Sequence, residues 1–372
     1  MNTFGKTIGL TIFGESHGLS IGAVLDGLPS GEAIDWDAVR TEMARRAPGK
    51  NKMSTARSEK DAFEVQSGFF NGHTTGTPLC AIIRNSNQHS RDYDQLRHIM
   101  RPGHADYSGK IRYGGFNDYR GGGHFSGRLT APLVFAGAVA SQILARHGIT
   151  VGSHILRLAG IADKPFDAAG ETAETLQALK KETLPVLDKA QAGPMEEKIL
   201  EAKNDLDSVG GVIECMVTGL PAGIGDPFFD SVESQLSHMM FSVPAVKGIE
   251  FGDGFALADL RGSQANDAFY YDGDTVKTRT NHNGGINGGI TNGMPVVFRL
   301  AVKPTASISQ KQETIDTDTK ENCDLVIKGR HDPCIVQRAI PIVEAAAAWA
   351  ILDVCLSEKG RCWEWMRLKI CH

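Results

Sequence analysis

The chain has 372 residues and carries 39 lysines and arginines against 44 aspartates and glutamates, a formal net charge of −5 at pH 7. A hydrophobic content of 41% with 22% charged residues is typical of a globular protein and disfavours a disordered chain. The mild acidity disfavours a dedicated nucleic-acid-binding protein, which would show a strong basic excess. Glycine stands out, because its 42 residues exceed the usual share of about 7%.

Cysteine usage and the N-terminal residues favour a cytoplasmic protein. The seven cysteines include no C-x-x-C pair, so no metal site is predicted and reduced thiols are expected. The N-terminus lacks a basic region followed by an apolar core, which argues against a signal peptide. The longest apolar run, residues 133–140, is far shorter than the roughly 20 residues that span a bilayer. No membrane association is expected.

The first predicted elements are strands. Residues 7–13 alternate polar and apolar side chains, and residues 21–25 also read as a strand, with the turn 14–18 between them. Residues 61–113 are expected to form short strands separated by turn signals such as Asn-Gly.

A first helix is predicted after Asp35, which can cap it. Trp36, Val39 and Met43 recur at helical spacing and define its apolar face. The opposite face is expected to carry the charged residues Arg40, Glu42, Arg45 and Arg46.

Two further helices are apolar nearly all round. Residues 129–147 form the first, which Gly148 ends, and residues 340–356 form the second. A helix without a polar face must be covered on every side, and each of these follows a strand-rich half. The predicted fold is therefore α+β, a β-α-β sandwich with apolar helices packed between antiparallel sheets.

The domain organisation is predicted to be simple. Residues from about 165 to 204 form a charged, solvated helical excursion. The halves 1–150 and 205–358 are candidates for a diverged duplication, although no residue-level repeat supports one. Because no linker or low-complexity segment is visible, residues 1–372 are expected to form a single domain, with an unassigned tail at 359–372.

Several common motifs are missing from the sequence. It contains no P-loop, no G-x-G-x-x-G, no H-E-x-x-H and no G-x-S-x-G. The glycines instead cluster in the segments 14–18, 121–123, 284–285 and 288–289, each bracketed by polar or basic residues. For any one cluster alone, a tight turn is the simplest interpretation.

Two segments combine turns with catalytic side chains. The segment GESHG places Ser16 and His17 on a turn directly after a strand, where catalytic groups are common. The segment RPGHAD presents Arg101 and His104 together. Arginine can hold an anion with two hydrogen bonds, while histidine exchanges a proton near neutral pH.

Two more segments carry candidate binding or catalytic groups. The segment RGGGHFSGR leads into an apolar helix, and the free N–H groups of a helix N-terminus suit a phosphate or another anion. The segment KGRHDPC places Asp332 among cations, as a candidate base or as a simple salt-bridge partner.

Cations lie beside all of these loops. Because the chain as a whole is acidic, local basic sites indicate small polyanionic ligands rather than a nucleic-acid track. For Arg40 and Lys50, ordinary solvated surface charge is an equally good interpretation. The cations are Arg40, Arg45, Arg46, Lys50, Lys52, Arg57, Arg101, Arg120, Arg128 and Arg330.

Taken together, these segments resemble the chorismate synthase family. The resemblance runs from about residue 4 to residue 356 and includes GESHG, RPGHADY, SGFFNGHTTGTPL and GLPAGIGDPFFD. It continues through GIEFGDGF, NHNGGINGGITNG, VKPTASI and KGRHDPC. So many ordered matches are far more specific than any single motif.

The resemblance implies a lyase of the shikimate pathway. The family converts 5-enolpyruvylshikimate 3-phosphate to chorismate by anti-1,4-elimination of phosphate and a proton, and it needs reduced FMN without net redox change. It also implies a β-α-β architecture and a homotetramer without a nucleic-acid partner. The protein is expected to be a flavoprotein, associated with FMN, FAD and NADP. Because no nicotinamide-binding unit is visible, an external flavin reductase or another source of reduced flavin is expected.

The resemblance also assigns residues. His17, with Ser16 beside it, would protonate the departing phosphate, His104 would stabilise the negative charge of the flavin, and Asp332 would accept the substrate proton by way of flavin N5. The residues expected to contact FMN are His124, Phe125, Ser126, Pro244, Ala245, Gly288, Lys303, Pro304, Thr305, Ala306, Ser307 and Arg330. Those expected to bind the substrate anions are Arg45, Arg46, Lys52, Arg57, Arg101 and Arg128.

The chain departs from the family pattern at three places. Ala47 stands where the family often has a third arginine, the helix-entry loop 124–130 is altered, and Pro244-Ala245 replaces Asn-Ala. These departures leave two alternatives: a catalytically weakened flavin-binding relative, or a phosphohydrolase that works without flavin.

Overall fold

Two five-stranded antiparallel sheets enclose a layer of helices. This architecture comes from a computed structural model of the chain. The structure describes residues 1–49, 52–54, 61–85, 96–327 and 331–357.

The first half of the chain forms a five-stranded sheet, a separate two-stranded hairpin and three helices. Its strands are β1 (Thr3–Phe4), β2 (Gly9–Gly14), β3 (Ser20–Asp26), β4 (Phe63–Ser67), β5 (Phe69–Phe70), β6 (His73–Thr74) and β7 (Leu79–Arg84). Its helices are α1 (Trp36–Arg46), α2 (Asp106–Arg112) and α3 (Thr130–Arg146), with 3-10 turns at Arg120–Phe125 and Gly127–Leu129.

The second half forms the other sheet and its connections. Its main strands are β8 (Thr150–Leu158), β9 (Ile161–Ala162), β10 (Gly211–Thr218), β11 (Val246–Phe251) and β16 (Val296–Val302). Its hairpins are β12 (Phe269–Asp272) with β13 (Thr275–Thr278), β14 (Ile286–Asn287) with β15 (Ile290–Thr291), and β17 (Lys311–Asp316) with β18 (Glu321–Val326). Its helices are α4 (Ala173–Leu179), α5 (Ala192–Asn204), α6 (Val232–Met240), α7 (Gly262–Ala265) and α8 (Val336–Ser357), with 3-10 turns at Lys189–Gln191, Phe228–Asp230 and Gly254–Asp259.

The two halves repeat one topology. In the first sheet the spatial order is β1-β2-β3-β7-β4, and in the second it is β9-β8-β10-β16-β11. In chain order, the main elements of each half are two strands, a short helix, two more strands and a long helix. The short helices are α1 and α6, and the long helices are α3 and α8. This shared order supports the duplication that the sequence pattern suggested. The charged excursion forms α4 and α5, an insertion between β8 and β10.

The long helices α3 and α8 form the centre of the sandwich, which confirms the predicted fold class. They are buried on nearly every side, and α3 packs on the first sheet while α8 packs on the second. A Cβ at Gly137 of α3 would lie 2.2 Å from the Cα of Ala345 in α8, so the two backbones are in close contact. Gly148 follows α3 with a φ of 76°, as expected of a helix end. Two helical segments are long and apolar enough to cross a bilayer, but 83% and 94% of their residues are buried here.

The structure corrects the predicted faces of α1. Asp35 caps the helix as expected, because its carboxylate accepts hydrogen bonds from the N–H groups of Asp37 and Ala38. Arg46, however, lies on the buried face with Val39 and Met43 and is only 2% exposed. It follows Met43 by three residues, which is less than one helical turn. A buried carboxylate stabilises its charge, as described below.

A second difference concerns the region expected to hold only strands. Residues 106–112 form α2, with Tyr107 and Ile111 exposed. These two residues are four apart, as on one helix face, and Gly109 packs against the ring of Phe125. The short helix therefore follows from a contact between distant segments that no local pattern indicated.

Candidate functional site

A cavity of about 740 Å³ opens between the two halves of the fold. Its walls come from the end of α1, the loop before α2, the glycine-rich turn before α3, the loop between α6 and β11, the loop after β16 and the start of α8. Both halves of the duplication therefore contribute side chains to one site.

Most of the residues assigned from the family resemblance line this cavity. Those that do are Arg46, Arg101, His104, His124, Phe125, Ser126, Arg128, Pro244, Ala245, Lys303, Pro304, Thr305, Ala306, Ser307 and Asp332. Arg57 and Arg330 lie outside the described residues.

Besides Ser16 and His17, which are described below, three predicted residues do not line the cavity. Arg45 donates to the carboxylates of Glu42 and Glu344, at 2.5 Å and 2.6 Å. Lys52 pairs with Glu196 on the surface. Gly288 lies at the tip of the β14–β15 hairpin, where a Cβ would meet nothing within 4 Å.

A triple-glycine turn, residues 121–123, brings the catalytic candidates together. All three glycines have positive φ, between 54° and 84°. A Cβ at Gly121 would lie 2.5 Å from ring atoms of His17 and 2.9 Å from Oγ of Ser16, and one at Gly122 would lie 3.3 Å from Nε2 of His104. Because glycine has no side chain, both imidazoles can pack against this turn.

Ser16 and His17 lie behind the turn rather than on the cavity surface. They are 1% and 4% exposed, and the backbone N–H of Ser16 donates to the carbonyl of Gly123 over 3.1 Å. Within the described part of the chain, Oγ of Ser16 is buried without a hydrogen-bond partner. Gly121, which their side chains contact, lines the cavity.

Asp106 orients two of the predicted site residues. Its carboxylate accepts hydrogen bonds from Nε and Nη2 of Arg101, both over 2.7 Å, and lies 2.7 Å from Nδ1 of His104. Burial would raise the pKa of Asp106, but the hydrogen bonds from Arg101 and His104 outweigh burial and hold the pKa well below its usual range. Nδ1 of His104 also lies 3.0 Å from Nη2 of Arg101, so this edge of the ring faces Arg101 and Asp106 while Cε1 and Nε2 face the glycine turn.

A second buried carboxylate, Asp61, joins two predicted anion-binding arginines. It accepts hydrogen bonds from Nε and Nη2 of Arg46, at 3.1 Å and 2.6 Å, and from Nη1 of Arg128. Burial would raise the pKa of Asp61, yet the two guanidiniums hold it below its usual value. The Nη1 of Arg46 lies within 3.4 Å of the Gly127 carbonyl and of Thr130 Oγ1, so this guanidinium is largely occupied by the protein.

Asp332, the predicted base, pairs with Arg338 at the start of α8. The Nε of Arg338 also donates to the carbonyl of Arg46, over 3.1 Å, which ties the base to the end of α1. His331 lines the cavity beside it. Burial and the nearby charge of Arg101 lower the pKa of His331, which favours a neutral imidazole.

The cavity lining combines cationic and apolar residues. The cationic residues are Arg46, Arg101, Arg128, Lys247, Lys303 and Arg338. Three carboxylates, those of Asp61, Asp106 and Asp332, pair with four of these cations. The apolar lining residues are Phe125, Phe241, Val243, Pro244, Val246, Ile335 and Ile342. Such a cavity suits a ligand that combines a flat apolar body with anionic groups.

Several residues at the site were not identified from the sequence. Asp61 and Asn85 precede or follow strands, where such residues are ordinary turn formers. Arg338 lies within an apolar helix, and Lys247 and Phe241 flank a loop without a motif. No local pattern indicates a role for these residues, and Asp61 and Asn85 in particular act through partners that are distant in sequence.

Among the described residues, no group of histidine, cysteine and carboxylate side chains is arranged to hold a metal ion. The same part of the chain leaves two buried polar atoms of the cavity lining, Oγ1 of Thr305 and Nε2 of His331, without a hydrogen-bond partner. Buried polar atoms normally have partners, so these two atoms are candidates to contact a ligand.

Comparison with known proteins identifies the family. The family model for chorismate synthase matches residues 8–356. The curated chorismate synthase of Dehalococcoides mccartyi is 45% identical over 355 residues, covering 95% of this chain and 96% of that protein. That of Chitinophaga pinensis is 45% identical, covering 96% and 98%. That of Thermococcus gammatolerans is 43% identical, covering 97% and 98%.

A solved structure agrees with the sequence comparison. The crystal structure of a chorismate synthase superimposes with a TM-score of 0.75 at 27% identity, covering 98% of this chain and 97% of that one. The chain belongs to the chorismate synthase family.

Proposed function

We propose that the protein converts 5-enolpyruvylshikimate 3-phosphate to chorismate and phosphate, using reduced FMN as an obligatory cofactor. The observation that carries the proposal is the cavity itself, whose lining combines cations, apolar residues and the predicted base Asp332, with the predicted acid His17 packed directly behind the lining residue Gly121. In the reaction a C–O bond to phosphate and a C–H bond break, and a new C=C bond forms.

The residues present fit a bound flavin. The apolar lining residues Phe125 and Phe241 offer contacts for a planar ring. Lys303, whose Nζ donates to the carbonyl of Gly103, lines the same cavity and would add positive charge near a phosphate group. Thr305 and His331 supply the buried polar atoms that need partners. Reduced FMN would supply electron density to the substrate and recover it, so that the overall reaction is redox-neutral.

His17 is the proposed general acid for the departing phosphate. Its ring packs against Gly121 at the cavity wall, with Oγ of Ser16 beside the same glycine. A proton placed there offsets the charge that develops on the leaving oxygen, and Arg101 and Arg128 add positive charge at the same cavity.

Asp332 is the proposed base and His104 the group that stabilises negative charge on the cofactor. Both line the cavity, and each is held by a charged partner, Arg338 for Asp332 and Asp106 for His104. Such fixed partners reduce the reorganisation needed when a proton moves.

The position of Ala47 argues against the alternative of a catalytically weakened flavin-binding relative. It ends α1, is 7% exposed, and does not line the cavity. Its neighbour Arg46 is already bound to Asp61. We infer that the cations which do line the cavity are sufficient for the substrate anions.

An anaerobic assay distinguishes the three possibilities. The protein is mixed with 5-enolpyruvylshikimate 3-phosphate, with and without reduced FMN, and chorismate and phosphate are measured. Chorismate formed only with reduced FMN supports the proposal. Flavin binding without turnover indicates a weakened relative, and phosphate released without flavin indicates a phosphohydrolase.

We further infer a cytoplasmic homotetramer that depends on an external source of reduced flavin. Exposed phenylalanines on the second half, Phe228, Phe229 and Phe255, are 84% exposed or more, which supports a self-association surface. Analytical ultracentrifugation tests the assembly. An aerobic assay with FMN and NADPH but no reductase tests the flavin source, and it should yield no chorismate.

A further inference from the structure

Asn85, directly after β7, contacts two parts of the site at once. The Nδ2 of its side chain donates to the carbonyls of Glu15 and Gly18, over 3.1 Å and 3.0 Å. Its Oδ1 accepts a hydrogen bond from Nε of Arg128 over 3.1 Å. Its backbone N–H donates to the carbonyl of Leu19 over 3.1 Å.

These contacts fasten the turn that carries His17. The turn is closed by a hydrogen bond of 3.0 Å from the N–H of Gly18 to the carbonyl of Glu15, and Asn85 binds both of those residues. Together with the bond to Leu19, three hydrogen bonds join the turn to the end of β7. The position of His17 therefore depends on the side chain of Asn85.

The same side chain fixes one edge of Arg128. Asn85 engages Nε of the guanidinium, while the buried carboxylate of Asp61 engages Nη1. Arg128 is only 7% exposed and lines the cavity. A guanidinium held at two of its nitrogens has little freedom to rotate, so its remaining surface is presented in one orientation.

Only an amide can make this set of contacts. Two carbonyl acceptors require two N–H donors, and the guanidinium donor requires an oxygen acceptor. An aspartate at the same place would pair well with Arg128 but would face the carbonyls of Glu15 and Gly18 with acceptor atoms only. An alanine would make none of the three contacts.

We propose that Asn85 is a positioning residue that fixes the turn of His17 relative to the guanidinium of Arg128. This role deepens the proposed function and rests on it, because it aligns the proposed acid with a cation that would bind the substrate anions. A displacement of about 1 Å in such an alignment can cost about 10²-fold in rate.

The test compares Asn85→Ala with Asn85→Asp by steady-state kinetics and by calorimetric binding of 5-enolpyruvylshikimate 3-phosphate without flavin. For Asn85→Ala we expect kcat to fall at least about tenfold, with weaker substrate binding. For Asn85→Asp, which keeps the contact to Arg128, we expect a similar loss in kcat but a substrate Kd within about threefold of wild type. A purely structural role would not split kcat from binding in this way.

Gln142→Ala is the matched control. The amide of Gln142 also joins separate segments: Nε2 donates to the carbonyls of Asp35 and Ala138, over 3.1 Å and 3.4 Å, and Oε1 accepts from the N–H of Asp35 over 2.8 Å. Gln142 does not line the cavity. This variant should retain wild-type kcat and substrate Kd. Equal kinetic losses in Asn85→Ala and Gln142→Ala, or a kcat within twofold of wild type in both Asn85 variants, would overturn the proposal.

The outcomes remain separable from a failure of the proposed function. If the wild-type protein forms no chorismate, the function fails, and calorimetric titration with inorganic phosphate still tests the positioning of Arg128. In that case Asn85→Ala should bind phosphate more weakly than wild type, and unchanged binding contradicts the proposal. If Asn85→Ala does not fold, Asn85→Asp is tested alone, and its wild-type kcat would reject the proposal.

Discussion

At the scale of single residues, the shape of the site depends on two glycines, which have no side chain. Gly121 and Gly122 form the surface on which His17 and His104 lie, and a Cβ at Gly121 would come within 2.5 Å of the His17 ring. The glycine excess in the composition thus has a specific use here, since two imidazoles approach one backbone turn closely. The remaining catalytic candidate, Asp332, comes from the opposite half of the chain.

Replacing His17 by alanine tests the proposed general acid. We expect FMN binding to stay close to wild type, because His17 does not line the cavity directly. Turnover should fall by about 10²-fold or more, the scale of a lost general acid. Flavin titration measures the first quantity and anaerobic turnover the second. Wild-type turnover would remove His17 from the mechanism.

Replacing Asp332 by asparagine separates chemistry from binding. The substitution removes a proton acceptor and leaves Arg338 with a neutral partner in place of its carboxylate. If Asp332 is the base, kcat should fall by about 10²-fold while KM changes little. An increase in KM with an unchanged kcat would show instead that Asp332 is a binding group.

Sequence patterns identified the residues that are proposed to carry the chemistry better than those that position them. His17, Arg101, His104 and Asp332 stand in glycine- and proline-rich turns, which marked them. No such signal marks Asp61, because it acts by forming ion pairs with Arg46 and Arg128, which come close to it only in the folded chain. The same partnership explains the burial of Arg46, which was expected on the charged face of α1: a compensated charge can be buried, and only the tertiary structure shows the compensation.

At the scale of elements, the close crossing of α3 and α8 determines the thickness of the central layer. The apolar character of both helices was predictable from their composition, but their point of closest approach was not. That point is Gly137, where a Cβ would lie 2.2 Å and 2.4 Å from backbone atoms of Ala345. Since the obstruction is backbone, the neighbouring helix cannot yield by changing a rotamer.

Substitution of Gly137 by alanine should therefore destabilise the fold. We expect the free energy of unfolding to fall by about 3 kcal/mol, at the upper end of overpacking costs. Gly193→Ala in α5 is the control, because a Cβ there meets nothing within 4 Å. That control should be neutral or stabilising by up to about 1 kcal/mol. Urea unfolding measures both, and equal stabilities for the two variants would contradict the crossing geometry.

The second sheet contains a buried charged network that spans three strands. His154 of β8, which is fully buried, lies 3.1 Å from Asp163 and 3.0 Å from Glu214 of β10, and Glu214 also accepts a hydrogen bond from Arg299 of β16 over 2.9 Å. Burial would lower the pKa of His154, but the two carboxylates outweigh it and raise the pKa above its usual value. Both ring nitrogens then serve as donors.

This network predicts a loss of stability on the alkaline side. A histidine with a raised pKa contributes its full stabilisation below its unfolded pKa of about 6.5, and loses it as the pH rises through the folded value. The free energy of unfolding should therefore decrease from pH 6.5 upward. His154→Asn should reduce this dependence, whereas His73→Asn, at an exposed position of β6, should retain it. Urea titrations at several pH values test this, and an identical pH dependence in both variants would argue against a charged His154.

At the scale of the whole molecule, the cavity lies where the two halves of the chain, which share one topology, pack against each other. The turn with His17, the RPGH segment and the triple glycine come from the first half, whereas Lys303 and Asp332 come from the second. One hydrophobic cluster extends from Ile8 to Leu356 and includes residues of both sheets and both long helices. The site therefore requires the two halves to be packed together.

Neither half is expected to fold alone. In a fragment of residues 1–148, α3 would lose the contact with α8 and expose an apolar surface, since α3 has 13 buried residues and almost no polar face. We predict that this fragment shows no cooperative thermal transition by near-UV circular dichroism, while the full chain unfolds in a single transition. Co-expression with residues 149–372 should restore the transition, because burial of α3 against α8 needs no covalent connection at the exposed Gly148. A cooperative transition in the isolated fragment would show that the halves are independent domains, and the cavity would then form by docking rather than by folding.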